Sequence, residues 1–134
     1  MIQAINKELS YQAQFSSKRY CAQADAAQGE NGGKLGFRPH ELLEAALAVC
    51  MNLTAMTYAK NHGVPLVEII TRVSLDWSGS EQVVFHNEIE LKGEITVEQR
   101  QAVIAAAHSC HVRKLLSRGV RFSDDEPGTA GKKI

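Results

Sequence analysis

The stretch from Pro39 to His62, PHELLEAALAVCMNLTAMTYAKNH, constrains this chain more than any other. Its start suits a helix. Pro39 costs nothing in a first turn whose N–H groups lack partners, and Glu41 places negative charge at the positive end of the helix dipole. Its end suits a stop, because Asn61-His62-Gly63-Val64-Pro65 offers a left-handed glycine cap and then a proline that blocks continuation. Between those ends Leu42, Leu43, Ala45, Ala46, Leu47, Ala48, Val49, Met51, Leu53, Ala55, Met56 and Ala59 leave almost no polar face. A helix apolar nearly all round must be buried nearly all round. Glu44, Cys50, Asn52, Thr54 and Thr57 interrupt the run and argue against a membrane span.

Length turns this into an argument about assembly. The helix extends about 36 Å. A compact chain of 134 residues has a radius of gyration of roughly 14 Å, hence a diameter close to that same length. A sheet of the same chain can cover one side of such a rod but hardly both. Only one other sizeable helix is evident, so a second copy of the chain is the expected cover for the rest.

At this length a single domain, 1–134, is expected, with N-terminal strands and a loop over 1–38 and a loose tail over 124–134. Tyr11, Ala13 and Phe15 alternate as in a strand, Ser16-Ser17-Lys18 reads as a turn, and Arg19–Ala24 as a further strand. Gly29, Gly32, Gly33 and Gly36 then mark a loop that delivers the chain to the long helix. After Pro65, Val67, Ile69, Thr71, Val73, Leu75 and Trp77 lie on one face of a strand. Val83, Phe85, Asn87, Ile89 and Leu91 do the same beyond a turn at 78–81, which predicts a long antiparallel hairpin with one buried face. Thr96-Val97-Glu98-Gln99 fits a capping box. The helix it starts carries an apolar stripe of Val103, Ala106, Ala107 and Cys110, and His111–Arg118 continues as a short helix offset by a kink. Val120–Ser123 reads as an edge strand.

Fifteen basic residues balance fifteen acidic ones, so neither nucleic acid nor an anionic membrane surface is implied as a partner. Cys21, Cys50 and Cys110 are too few and too scattered for a secreted disulfide scaffold, and MIQAINKELS has no apolar core of a signal peptide. A reducing cytoplasm is the expected compartment, and the cysteines start as thiols.

Cys50 lies mid-helix among Leu43, Ala46, Leu47, Thr54 and Thr57, where a cysteine commonly serves as a small buried hydrophobe. A reactive thiolate there would need a cation brought to it, with Arg19, Arg38 and Arg113 as candidates. Cys110 closes the stripe of the second helix. If the two helices pack along their apolar stripes, the thiols face each other as a nucleophile and a resolving partner would. Cys21 has no such companion. His108, Cys110 and His111 match no standard zinc spacing, and no phosphate-binding glycine loop is present, so no metal or cofactor is expected.

PHELLEAALAVCM with Cys50 deep in the helix, GVPLVEIITRVSLDW after it, and a second helix ending AAAHSCHVRKLL together resemble the OsmC/Ohr family, over roughly residues 35–123. That family contains osmotically inducible protein C and the organic hydroperoxide resistance proteins. The resemblance implies an α+β, OsmC-like fold, with two long helices packed on antiparallel sheet and two chains intertwined as a homodimer. It implies a thiol-dependent peroxidase for organic hydroperoxides, with Cys50 peroxidatic, Cys110 resolving, and regeneration by thiols or a lipoyl-type reductant. Peroxidase members place a glutamate directly after the proline, where it orients an arginine from the N-terminal segment. This chain has His40 there with Glu41 beside it, and Arg19 is the candidate for that arginine. The changed pair keeps open an alternative: a non-catalytic OsmC-like protein that binds a small hydrophobic ligand at the dimer interface.

The burial argument makes one expectation independent of any chemistry. Sedimentation at micromolar concentration should give a mass near two chains, and a well-folded monomer would show that one chain covers its own helix.

Overall fold

The computed structural model describes residues 1–6, 11–25, 35–79 and 81–125. The chain forms two compact units, one from residues 1–41 with 120–134 and one from residues 42–119. In the first, β1 (Gln3–Ile5), β2 (Gln12–Ser16) and β3 (Cys21–Asp25) make an antiparallel sheet in the order β1-β2-β3. Ala4 pairs with Phe15, and Ala13 with Ala24. The β2–β3 turn closes through the Ser17 amide donating to the Tyr20 carbonyl at 2.8 Å. The Ser17 hydroxyl accepts from the Tyr20 amide, a local bond of the kind that favours serine in turns. Gly29, Gly32 and Gly33 of the expected loop lie outside the described residues, as does the greater part of the expected tail.

The second unit holds all but the first three residues of α1 (Pro39–Asn61), then β4 (Glu68–Asp76), β5 (Val84–Lys92), α2 (Val97–His108) and α3 (His111–Ser117). The ends of α1 follow the local chemistry of the sequence. Pro39 opens it, and the Glu41 carboxylate reaches back to accept the Arg38 amide at 2.8 Å, the return half of a capping box. Gly63 stops it at φ +62°, a conformation that costs a side-chain-bearing residue energy. β4 and β5 pair antiparallel in a register that sets Ile69 opposite Leu91, Thr71 opposite Ile89, Val73 opposite Asn87 and Leu75 opposite Phe85, all on one face. Gly93 follows β5 at φ +144°, where a Cβ would lie 2.5 Å from the Pro65 carbonyl oxygen. Only glycine fits that crossing of chains.

The core of this unit gathers Leu47, Met51, Ala55 and Ala59 from α1 with Leu91 from β5, Val103 and Ala107 from α2, and Cys110. Four α1 residues at spacings of four form one stripe, and Val103, Ala107 and Cys110 form the stripe that meets it. Ile69, Val73, Phe85 and Ile89 pack on the cluster from the hairpin. Hydrogen bonds then fix α1 on β4. Glu44 Oε1 accepts from the Leu75 amide at 2.8 Å, the Asn52 side chain donates to the Ile69 carbonyl at 2.9 Å, and the Thr71 hydroxyl donates to the Ala48 carbonyl at 2.9 Å. By length and hydropathy alone α1 would pass for a membrane span, but these polar contacts hold it against a sheet. On the outer face of the hairpin, Arg72 bridges Glu88 and Glu90, and Lys92 pairs with Glu68.

Three differences from the sequence reading stand out. Val67 and Trp77, at the ends of the alternating run, are exposed and lie just outside β4. The segment 120–123 forms no strand, and Phe122 in it is 92% exposed. Alternating apolar residues make a strand only where a neighbouring strand offers hydrogen bonds, and none pairs with this segment among the described residues. The second helix, which the resemblance makes long like the first, has 12 residues against 23, while the kink expected before His111 is present as a break at Ser109-Cys110. The predicted capping box is present: Thr96 Oγ1 accepts from the Gln99 amide, and the Gln99 side chain accepts from the Thr96 amide.

Met51 is fully buried, whereas Leu53 on the opposite side of α1 is 53% exposed. Met51→Ala should destabilise the protein by about 2–5 kcal/mol through lost burial and the cavity left behind. Leu53→Ala should cost clearly less within one chain. Urea unfolding of the two variants measures the contrast.

Candidate active site

The break between α2 and α3 places chemistry at its corner. Cys110 is the N-cap of α3, with φ −59° and ψ +151°, and is 1% exposed. It belongs to the buried cluster against which Cys50, from the middle of α1, is packed, and the two thiols act on each other electrostatically. Both cysteines are free thiols. Val112, in the first turn of α3, points its amide at Cys50 Sγ at 3.5 Å. A donor so aimed interacts more strongly once the sulfur bears negative charge. The Thr54 hydroxyl donates to the Cys50 carbonyl at 2.7 Å, which ties that turn of α1 together on the same side.

The two thiols differ in surroundings. Cys50 is half-buried and lines a groove of about 490 Å³ that runs along α1 past Leu53, Thr54 and Thr57 to Tyr58, Asn61 and His62, with Ala106 and Ser109 on its other bank. The Tyr58 and His62 rings stack at 3.9 Å at the far end. Cys110 lies behind Cys50, in the core. Burial is the main reason that its thiol ionises above the ordinary range. The Arg113 amide opposes that effect without closing a capping hydrogen bond, the Cys50 thiol adds to it, and the positive charge of Arg113 opposes it.

Arg113 is the functional neighbour that sequence reasoning could place only among three candidates. It sits in the first turn of α3, and its Nη1 is buried without a hydrogen-bond partner among the described residues. Partial desolvation lowers the His108 pKa, and the charge of Arg113 adds to that shift. Val112 was missed altogether. Its amide acts through the backbone, and the only signal in the sequence was that a helix restarts directly after Cys110.

The other expected site residues occupy separate positions. Arg19 lies in the β2–β3 turn of the first unit, exposed, beside a surface pocket that it lines with Gln3, Ser17 and Tyr20. His40 is partly buried in the first turn of α1, and the Glu41 carboxylate is taken up by the Arg38 amide. Cys21 is exposed in β3. No group of three metal-ligating side chains stands together among the described residues, His108, Cys110 and His111 included.

A pair of thiols packed in one cluster, set where a short helix begins beside an apolar groove, defines a dithiol site on an α+β scaffold. The family model for OsmC-like proteins matches residues 29–123, and the chain belongs to that family. Among solved structures, an OsmC-like protein from Mycoplasma pneumoniae superposes with a TM-score of 0.68 at 20% identity, covering 90% of this chain and 87% of that one. The organic hydroperoxide resistance protein OhrB of Bacillus subtilis gives 0.59 at 22%, covering 89% and 90%. An organic hydroperoxide resistance protein OsmC from Legionella pneumophila gives 0.61 at 16%, covering 89% and 88%. At these identities the likeness is one of fold. No curated protein sequence matches the chain.

The difference in burial makes a direct prediction. In a Cys21→Ser protein at pH 8, a small alkylating agent should modify Cys50 at least roughly tenfold faster than Cys110, because only an accessible thiolate reacts. Peptide mass mapping over time reads the order, and equal rates would contradict the geometry.

Proposed function

We propose that this protein is a cytoplasmic, homodimeric thiol peroxidase that reduces organic hydroperoxides with Cys50 and Cys110. The observation that carries the reading is the packing of the two cysteines in one cluster, one lining an apolar groove and one sealed behind it. Cys50 is the attacking sulfur because it is the one a solute can meet. Its thiolate displaces alkoxide from the peroxide O–O bond; the alkoxide takes a proton and leaves as the alcohol, and Cys50 becomes a sulfenic acid. Cys110 then attacks that sulfur, a disulfide forms, and water leaves. Two thiols, or a dihydrolipoyl group, reduce the disulfide and return both cysteines. An apolar groove suits a peroxide with a hydrocarbon body.

The family's activating pair has its proposed counterparts in Arg19 with His40 and Glu41. The homodimer is supported by α1 itself. Leu43, Ala46, Val49, Leu53 and Thr57 line one face that lies open in a single chain, and a second copy would cover that face and roof the groove. The family match crosses the boundary between the two compact units, which supports reading 1–134 as one domain.

Stoichiometric cumene hydroperoxide should join Cys50 to Cys110 within one chain, as seen by peptide mapping without reduction. Cys50→Ser should abolish peroxide consumption, Cys21→Ser should leave it intact, and Cys110→Ser should let the Cys50 sulfenic acid persist or over-oxidise. Inert thiols beside a tightly held apolar ligand would instead make the groove a binding site.

A further inference from the structure

The resolving step poses an electrostatic problem that the attacking step does not. For the disulfide to form, the Cys110 proton must leave, its sulfur must attack the Cys50 sulfenyl sulfur, and the S–O bond must break as the S–S bond forms. The departing hydroxide takes up a proton as water, and the oxidising equivalents come from the hydroperoxide. Cys110 performs this from a position 1% exposed, where an anion is poorly solvated. Something nearby must favour that anion.

We infer that Arg113 is a positioning residue for the resolving cysteine: its guanidinium, held at the first turn of α3 with Nη1 buried and unpartnered, stabilises the negative charge that develops on the Cys110 sulfur. Arg113 is three residues from Cys110, which caps the same helix. It forms no salt bridge among the described residues, so no carboxylate neutralises its charge. The titratable groups that act on the Cys110 thiol are Cys50 from α1 and Arg113 from α3, and Arg113 is the only cation of the two. The same positive charge acts on His108 at the end of α2. A guanidinium suits the role because it keeps its charge at every pH at which a thiol titrates. Arg113 thus serves the second cysteine, a task separate from the activation assigned above to Arg19, though its catalytic meaning rests on the peroxidase reading.

Two measurements separate the ideas. In a Cys21→Ser, Cys50→Ser protein, Cys110 is the sole thiol, and its modification by methyl methanethiosulfonate can be followed from pH 6 to 10. Arg113→Gln should move the midpoint up by about one pH unit, roughly a tenfold loss of thiolate at fixed pH below it. Arg113→Lys should restore most of that shift. In a Cys21→Ser protein given stoichiometric cumene hydroperoxide, Arg113→Gln should raise the ratio of dimedone-trapped sulfenic acid to disulfide about tenfold at pH 7. An unchanged Cys110 profile in Arg113→Gln, or Arg113→Lys no better than Arg113→Gln, would overturn the inference. If the parent protein consumes no peroxide, the peroxidase reading fails, while the alkylation profile still decides the role of Arg113.

Discussion

A helix with apolar side chains on almost every face has no hydrophobic reason to prefer one rotation about its axis. Turning α1 by a third of a revolution would exchange one apolar stripe for another at little cost in buried area. Its few polar groups make the choice. Glu44, Ala48 and Asn52, one turn apart, bond to Leu75, Thr71 and Ile69 along β4. Their specificity comes from the asymmetry of hydrogen bonding in a core: a made bond contributes modestly, whereas a buried polar group left unmade costs about 1–3 kcal/mol. Any other rotation would give up all three bonds. With this rotation fixed, Met51 and Ala55 enter the core, Cys50 comes to the border between core and groove, and Leu53 faces outward.

Position along the second limb of the site is settled differently. Val103, Ala107 and Cys110 form a stripe that would be continuous in an unbroken helix, yet the chain leaves helical geometry at Cys110 and begins again. The break frees backbone amides that a continuous helix would have used internally. One of them, on Val112, is turned toward the Cys50 sulfur. The thiol pair therefore depends on a helix being interrupted as much as on two helices packing.

Much of this was legible in the sequence because it is local. The extent of α1 follows from Pro39 and Gly63, the hairpin from its alternation, and α2 from the Thr96–Gln99 box; each is a few residues of chemistry with one reading. The approach of Cys50 and Cys110 was also legible, since Cys110 closes the apolar stripe of the second helix and Cys50 lies mid-way along the apolar first one. Glu41 was read as a partner of the helix dipole, and it is also the return arm of a capping box to Arg38, a bond that depends on the rotamer. Arg113 could not be singled out from Arg19 and Arg38, because what distinguishes it is the burial of one nitrogen, which only packing determines. The segment 120–123 misled for the converse reason: alternation is local, but a strand is a relation with another strand.

The amide of Val112 has a spectroscopic consequence. Its proton points at the one sulfur whose electron density changes most between thiol, thiolate, sulfenic acid and disulfide. Hydrogen-bonded amide protons shift with the charge on their acceptor. In a nitrogen-15-labelled sample a single backbone resonance would then track the redox state of the site. The protein carries its own indicator, with no dye or added thiol reagent to perturb the chemistry being watched.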